Sequence, residues 1–255
     1  MKMKKILSVV LVAACTLSLA ACGSKAKSND SEAATGSDTL VMATNAEFPP
    51  YEYYEGDKIV GIDAEFAAAI AEKLGKELKI EDMAFDSIIP AVQGGKADFG
   101  AAGITVTEER QSQVDFSDSY YTGRQVIIVT EDSAIASPDD LEGKKMGVQL
   151  GTTADIYLSD DYGDESVERF NKGFEAVQSL LQGKIDAVVI DDQPAKAFVA
   201  ENAGLKILET EYVEEEYALC FKKDSELVDD VNEAIAALKE DGTFDKIVAK
   251  YITAE

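Results

Sequence analysis

The residue best equipped for chemistry is Arg110, in the run Gly103-Ile-Thr-Val-Thr-Glu-Glu-Arg110-Gln-Ser-Gln-Val-Asp-Phe-Ser-Asp-Ser-Tyr-Tyr121. A guanidinium is a planar fork of N–H donors. It can bond both oxygens of a carboxylate at once, which an ammonium does less well. Thr107 reads as a helix N-cap, with Glu108 and Glu109 in the first turn beside the positive helix end. Arg110 then falls in that first turn, close to the end of an apolar strand entered at Ala97. A cation beside free backbone groups suits a small anion such as a carboxylate. The plainer reading of one arginine is an exposed surface cation.

Much chemistry is excluded by what is missing. The chain has no histidine, which removes Ser-His and Cys-His catalysis and histidine metal sites. The acidic loop Asp160-Asp-Tyr-Gly-Asp-Glu165 lacks the ligand spacing of an EF-hand. No Walker loop or Gly-x-Gly-x-x-Gly occurs, so neither cofactor nor metal is expected. The formal net charge of −25 argues against nucleic acid and against an anionic membrane surface as partners. At 255 residues, 46% hydrophobic and 29% charged, the chain is globular and long enough for two lobes.

The elements that must position Arg110 come into view along the chain. Met1 to Lys5 is basic, and Ile6 to Ala21 is apolar but too short to span a bilayer comfortably, which reads as an export signal. It ends Leu19-Ala-Ala-Cys22, similar to the lipobox of bacterial lipoproteins, so Cys22 is the expected lipidation site. Gly23 to Asp38 is polar and reads as a flexible tether. Of the other cysteines, Cys15 lies in the signal. Cys220 sits in the apolar run Tyr217 to Phe221 and is expected to be a small buried side chain.

From Thr39 strands and helices alternate. Leu40 to Ala43 predicts a buried strand, and Asp63 caps a helix ending at Gly75. Lys79 to Ala84 predicts a second strand, Asp86 to Gln93 a short helix, and Ala97 to Ile104 a third strand. This βαβαβ order favours a parallel sheet covered by helices, with ligands beyond the carboxyl ends of the strands. Asn45, Phe85 and Gly103 to Arg110 fall there. Phe85 to Asp98 resembles Phe174 to Asp186, each a helix, a Gly-Lys turn and a strand start, which suggests two related lobes. In the second, Ser137-Pro138 starts a helix, Lys145 to Gln149 and Ile185 to Ile190 are strands, and Gly151-Thr-Thr-Ala154 opens a helix with an anion-binding start. Helices at Glu226 to Lys239 and Phe244 to Tyr251 close the chain.

The pattern Gly-Ile-Thr-x-Thr-x-x-Arg…Asp-Phe-Ser…Tyr-Tyr resembles that of the bacterial extracellular solute-binding proteins (family 3) that serve polar amino-acid ABC importers. The likeness runs from about Thr39 to Ile252. It implies an α/β, two-lobed periplasmic-binding-protein-like (type II) fold, each lobe a sheet flanked by helices, joined by two crossover strands. The lobes would be 39–124 with 219–255, and 125–218, after a signal at 1–21 and a tether at 22–38. The resemblance assigns Arg110, Thr105 and the backbone at Thr152 and Thr153 to an amino acid's α-carboxylate. It gives Asp191 and the Gly103 carbonyl to the ammonium. Asn45, Glu47, Phe48, Phe85 and Gln149 would surround the side chain, the two phenylalanines sandwiching it. Glu47 facing the pocket would favour a basic ligand; Glu47 facing water would leave a neutral polar one. Relatives that take basic amino acids often carry Asp where this chain has Asn45. Asp191 has another reading, as a cap of the next helix, though Asp192 can serve there instead.

The resemblance also implies a non-enzymatic, monomeric protein held by lipid on the extracellular face of the cytoplasmic membrane. It would bind a free amino acid, neutral polar or basic, and deliver it to a permease and ATPase. The alternative on the same fold is a dehydratase of small carboxylic acids, for which Glu47 is the one acid on offer.

Overall fold

The structure is a computed structural model and describes residues 38–209 and 212–252. The expected signal, Cys22 and the tether lie outside those residues, apart from Asp38. Among the described residues no helix is long and apolar enough to cross a membrane.

The chain begins with β1 (Thr39–Thr44), a small antiparallel sheet of β2 (Glu47–Phe48), β3 (Glu52–Glu55) and β4 (Lys58–Val60), and helix α1 (Ile62–Lys73). Then come β5 (Glu77–Asp82), α2 (Ile88–Gln93), β6 (Phe99–Gly100), α3 (Glu108–Gln113) and β7 (Asp115–Phe116). The ten-residue strand β8 (Tyr121–Thr130) leads into β9 (Met146–Gln149), α4 (Thr153–Tyr162), β10 (Val167–Phe170) and α5 (Gly173–Leu181). After these come β11 (Ala187–Asp191), α6 (Asp192–Glu201), β12 (Leu205–Ile207) and β13 (Val213–Tyr217). The last elements are β14 (Cys220–Phe221), α7 (Leu227–Glu240) and α8 (Thr243–Tyr251).

Two lobes result, each built on one main sheet, with the small β2-β3-β4 sheet apart from both. The first has the order β5-β1-β6-β14-β7 and the second β10-β9-β11-β8-β12, with β13 also on β8. Strand β1 is buried on both faces because helices cover both. Leu40 and Met42 share a core with Phe66 and Ile70 of α1, while Ala43 joins Ile88 and Val92 of α2. The period of two recurs in β8: Ile127 and Val129 belong to one core, Val126 and Ile128 to the other. Helices α7 and α8 return to α1, and the Phe66 and Phe244 rings meet at 4.7 Å. Cys220 is fully buried, and burial pushes its thiol up to about 12, so it is an inert core side chain.

Three expectations are corrected. The sheets are mixed rather than parallel: β1 runs parallel to β5 and β6, but β14 is antiparallel to β6 and β7, and β8 is antiparallel to its neighbours. The reversal arises because β8 and β13 are the crossings between lobes, one leaving and one returning. The third strand is two residues long, and three residues beyond it Gly103 takes a positive φ of 54° that turns the chain away from the extended path. Asp63 does not cap α1. Gly61 holds that position, and the Asp63 carboxylate is buried within the first turn.

Beside the crossing, Gly123 is paired with Glu215 and lies against the Tyr217 ring; a Cβ there would overlap ring and hydroxyl alike. Tyr217 is itself fully buried and bridges to Thr105 of the first lobe.

Candidate functional site

A cavity lies where strand ends of both lobes converge. From the first lobe come Asn45 after β1, Phe48 in β2, Phe85 after β5, and Gly103 and Thr105 after β6. From the second come Gln149 at the end of β9, Thr152 and Thr153 at the start of α4, and Asp191 at the end of β11. Arg110 of α3 completes the expected set. Glu47 is the one expected residue that does not line it. Its carboxylate pairs with Lys172, so it is turned neither into the cavity nor freely into water.

Local sequence explains how Arg110 is held. Thr107 caps α3 by accepting the Arg110 N–H at 3.1 Å. That fixes the first turn and lets the guanidinium, only 6% exposed, fold back to donate to the Thr105 carbonyl at 2.9 Å. Its second terminal nitrogen donates to the Gly151 carbonyl at 3.1 Å, which belongs to the other lobe. The Phe85 ring lies 5.6 Å from the guanidinium carbon. Burial lowers the Arg110 pKa, and Glu215 opposes that as the largest nearby charge. Thr105 donates to Glu215 at 2.9 Å. Thr152 caps α4, so Thr153 opens a helix whose first N–H groups have no intrahelical partner. One cation and a helix start thus face the same space, which is what a carboxylate requires.

The opposite charge is equally buried. Asp191 is 7% exposed and accepts a hydrogen bond from the Tyr217 hydroxyl. It occupies the N-cap position of α6 but its side chain makes no cap bond. Burial, with Glu215 nearby, pushes its carboxyl well above the usual range. Gly103 donates its N–H to Asp63 at 2.8 Å, and the Tyr120 hydroxyl donates to the same oxygen at 2.8 Å. A side chain at Gly103 would also press on Phe48, 3.0 Å from an added Cβ.

Beyond these charges an amide relay crosses between the lobes. Asn45 donates to the Met83 carbonyl at 2.8 Å and accepts from Gln149 at 2.9 Å, while Gln149 also donates to the Asn171 carbonyl at 3.1 Å. Phe48 stacks on Tyr51 at 5.6 Å between centroids.

Several lining or supporting residues were not foreseen. Glu52 and Ala102 line the cavity, Glu215 backs Thr105, and Lys172 holds Glu47. The clue to Glu215 was alternation in β13, which buries it between exposed Glu214 and Glu216. The Lys172–Glu47 pair joins lobes at the rim, with Lys172 side-chain exposure of 42%. Pairs this exposed contribute about 0.2–1 kcal/mol. Lys172→Ala is therefore expected to weaken ligand binding by no more than about fivefold, through faster release, leaving ligand ranking unchanged in stopped-flow measurements. A reversed ranking would place Lys172 in the site instead.

The buried acids set a pH dependence. Burial pushes Asp63 up to about 6, despite the hydrogen bonds it accepts from Gly103 and Tyr120. Glu52, fully buried beside it, is pushed well above its ordinary value by burial first and then by the neighbouring Asp63. A carboxyl raised in the native state stabilises fully below its unfolded pKa of about 4 and loses that contribution as pH rises through the native value. The ligand-free thermal midpoint is thus expected to fall as pH rises from about 5 to about 8. Half-buried Asp115 and exposed Asp140 and Asp164, lowered by their partners, act oppositely but below that window. A midpoint that stays level or rises would contradict the buried pair.

The model of the bacterial extracellular solute-binding proteins, family 3, matches residues 40–254. The arginine-binding extracellular protein ArtP of Bacillus subtilis (strain 168) is 39% identical over 259 residues, covering 99% of this chain and all of that one. An ancestral arginine-binding protein bound to arginine superposes with a TM-score of 0.79 at 44% identity, over 84% of this chain and 98% of its own. A structure of an ancestral arginine-binding protein bound to glutamine gives 0.81 at 42%, over 85% and 99%.

Proposed function

The chain belongs to the bacterial extracellular solute-binding proteins of family 3, and from that membership we propose that it captures one free polar amino acid, neutral or basic, between its lobes and delivers it to an ABC importer. The relatives in this family are transport binding proteins rather than enzymes. The observation that carries the reading is the pairing of Arg110 and Asp191, 6% and 7% exposed, on one cavity. Opposite charges that are both buried yet not joined to each other suit a zwitterion. Arg110, Thr105 and the Thr152–Thr153 helix start take the carboxylate; Asp191 and the Gly103 carbonyl take the ammonium. Phe48, Phe85, Asn45 and Gln149 surround the side chain, and Glu47 acts on closure through Lys172.

The lobes in this reading are 39–124 with 219–255, and 125–218, a division supported by the strands of the two main sheets apart from the start of β8 at Tyr121. Ligand meets the first lobe, and the second closes over it. Contacts such as Arg110 to Gly151 exist only in the closed form, so ligand shifts the population towards it; hinge closure in periplasmic binding proteins is a standard example of such switching. The signal at 1–21 directs export. Lipid on Cys22, with the tether 22–38, holds the monomer at the extracellular face of the cytoplasmic membrane beside permease and ATPase subunits.

The test is thermal unfolding of the refolded, ligand-stripped protein against each common amino acid. A ligand at 100 times its dissociation constant adds about 2.7 kcal/mol. A response to one or a few polar amino acids supports the reading. No response to any would overturn it.

A further inference from the structure

An acid stands behind the place assigned to the ligand's carboxylate. Glu215 lies on β13, the strand that returns to the first lobe, and is 4% exposed. It does not line the cavity. Its charge repels a ligand carboxylate, so attraction of the ligand does not account for it. What it holds does.

One Glu215 oxygen accepts from the Thr105 hydroxyl and from the Gln125 amide, both at 2.9 Å. Tyr157 of α4 hydrogen-bonds the same carboxyl group. These partners come from three places. Thr105 belongs to the first lobe, and its carbonyl accepts from Arg110. Gln125 belongs to β8, the outgoing crossing, and also hydrogen-bonds Asp191. Tyr157 lies one turn into the helix that Thr152 caps, in the second lobe. The backbone repeats the fastening. Val106 donates to the Glu216 carbonyl and Ala218 to the Ile104 carbonyl, each at 3.0 Å. Charge-assisted bonds are short and strong, and a buried network of them holds its members in one arrangement.

We propose that Glu215 is a positioning residue for carboxylate recognition: without touching the ligand, it sets Thr105, and through it Arg110, in register with α4 and the two crossing strands. The inference rests on the amino-acid reading above. Both halves of the carboxylate site, one from each lobe, are then fastened to one side chain on the strand that joins them.

Two substitutions separate position from charge. Glu215→Gln keeps the reach, with a carbonyl oxygen for Thr105 and Gln125 and an amide for Tyr157, but loses the charge. Glu215→Asp keeps the charge and draws it back by one methylene. The probes are the amino acid that most stabilises the refolded wild-type protein in the screen above, and its α-carboxamide, which keeps the ammonium and side chain but lacks the carboxylate. In calorimetry, with folding checked by thermal unfolding, Glu215→Gln is expected to bind the acid within about threefold of wild type. Glu215→Asp is expected to bind it about tenfold weaker or worse, the scale of one lost hydrogen bond to a buried charge. The preference for acid over carboxamide is expected to shrink in Glu215→Asp by about threefold or more, because the loss falls on carboxylate recognition. Glu215→Gln losing more than Glu215→Asp would make charge the active property and overturn the proposal. So would a Glu215→Asp that binds the acid like wild type, or that weakens both probes alike. If Glu215→Asp does not fold, Tyr157→Phe carries the test: weaker binding of the acid with the carboxamide unchanged supports the proposal, and no change overturns it. If no amino acid stabilises the wild type, the amino-acid reading itself fails, and this inference with it.

Discussion

Arg110→Ala is expected to lower amino-acid affinity at least a hundredfold, measured by calorimetry on refolded protein. The guanidinium is the site's one cation among the described lining residues, and it is almost wholly removed from water. Its loss leaves the ligand carboxylate facing Glu215 and Asp191 with only the Thr152–Thr153 helix start to offset them. Truncating one partner of a buried, hydrogen-bonded charge pair costs about 2–5 kcal/mol or more, about thirtyfold to several thousandfold. Arg110 also joins the lobes through Gly151, so closure loses a contact at the same time. Arg110→Lys is expected to fail nearly as badly, because an ammonium cannot reach Thr105, Gly151 and a carboxylate with one planar fork. Binding by Arg110→Ala within about tenfold of wild type, about 1.4 kcal/mol, would remove Arg110 from the site.

The second large effect lies at the crossing. Gly123→Ala puts a methyl group into the buried Tyr217 ring, which has no free space to enter. Gly123 has no positive φ, so the damage comes from overlap alone. Overpacking of this kind costs about 1–3 kcal/mol. For a domain this size that is about 2–4 °C in thermal midpoint per kcal/mol. Affinity is expected to fall too, since Tyr217 donates to Asp191, and a displaced ring takes that donor with it. Adding Tyr217→Ala to Gly123→Ala relieves the overlap but not the lost donor. Affinity should stay low in the double variant while the cost of the Gly123 change shrinks. If Gly123→Ala unfolds at the wild-type midpoint and binds normally, the crossing is looser than described.

The site was legible where one segment carried its own context. Gly103 to Arg110 announces a strand end, a cap and a cation in eight consecutive residues. Gly151 to Ala154 announces a helix start. What joins Arg110 to Asp191 is tertiary, and only the family likeness brought them together. Glu52 was hidden because a glutamate in a short hairpin reads as solvent-facing, yet β3 packs on α1 and turns it inward. Lys172 and Glu47 are 125 residues apart, and no local pattern couples them. The length of the third strand was overread for a physical reason. Ala101, Ala102 and Ile104 are buried like strand residues, but they form a loop whose backbone is satisfied otherwise, Ala101 by the Ala43 carbonyl and Gly103 by Asp63.

The order of the first sheet has a consequence for how the chain acquires its shape. Strand β14 sits between β6 and β7, pairing Cys220 with both Gly100 and Phe116. Every strand of the second sheet, by contrast, lies between Tyr121 and Tyr217. A nascent chain emerging from its N-terminus can therefore finish the second lobe before the first, although it began with the first. Until Phe221 emerges, β6 and β7 keep unpaired edges, and α1 lacks the cover of α7 and α8. Sequence-distant pairing is slow, and open edges invite association with other chains. The vulnerable moment in this protein's life is the interval in which the lobe bearing Arg110 waits for the last thirty-odd residues to arrive.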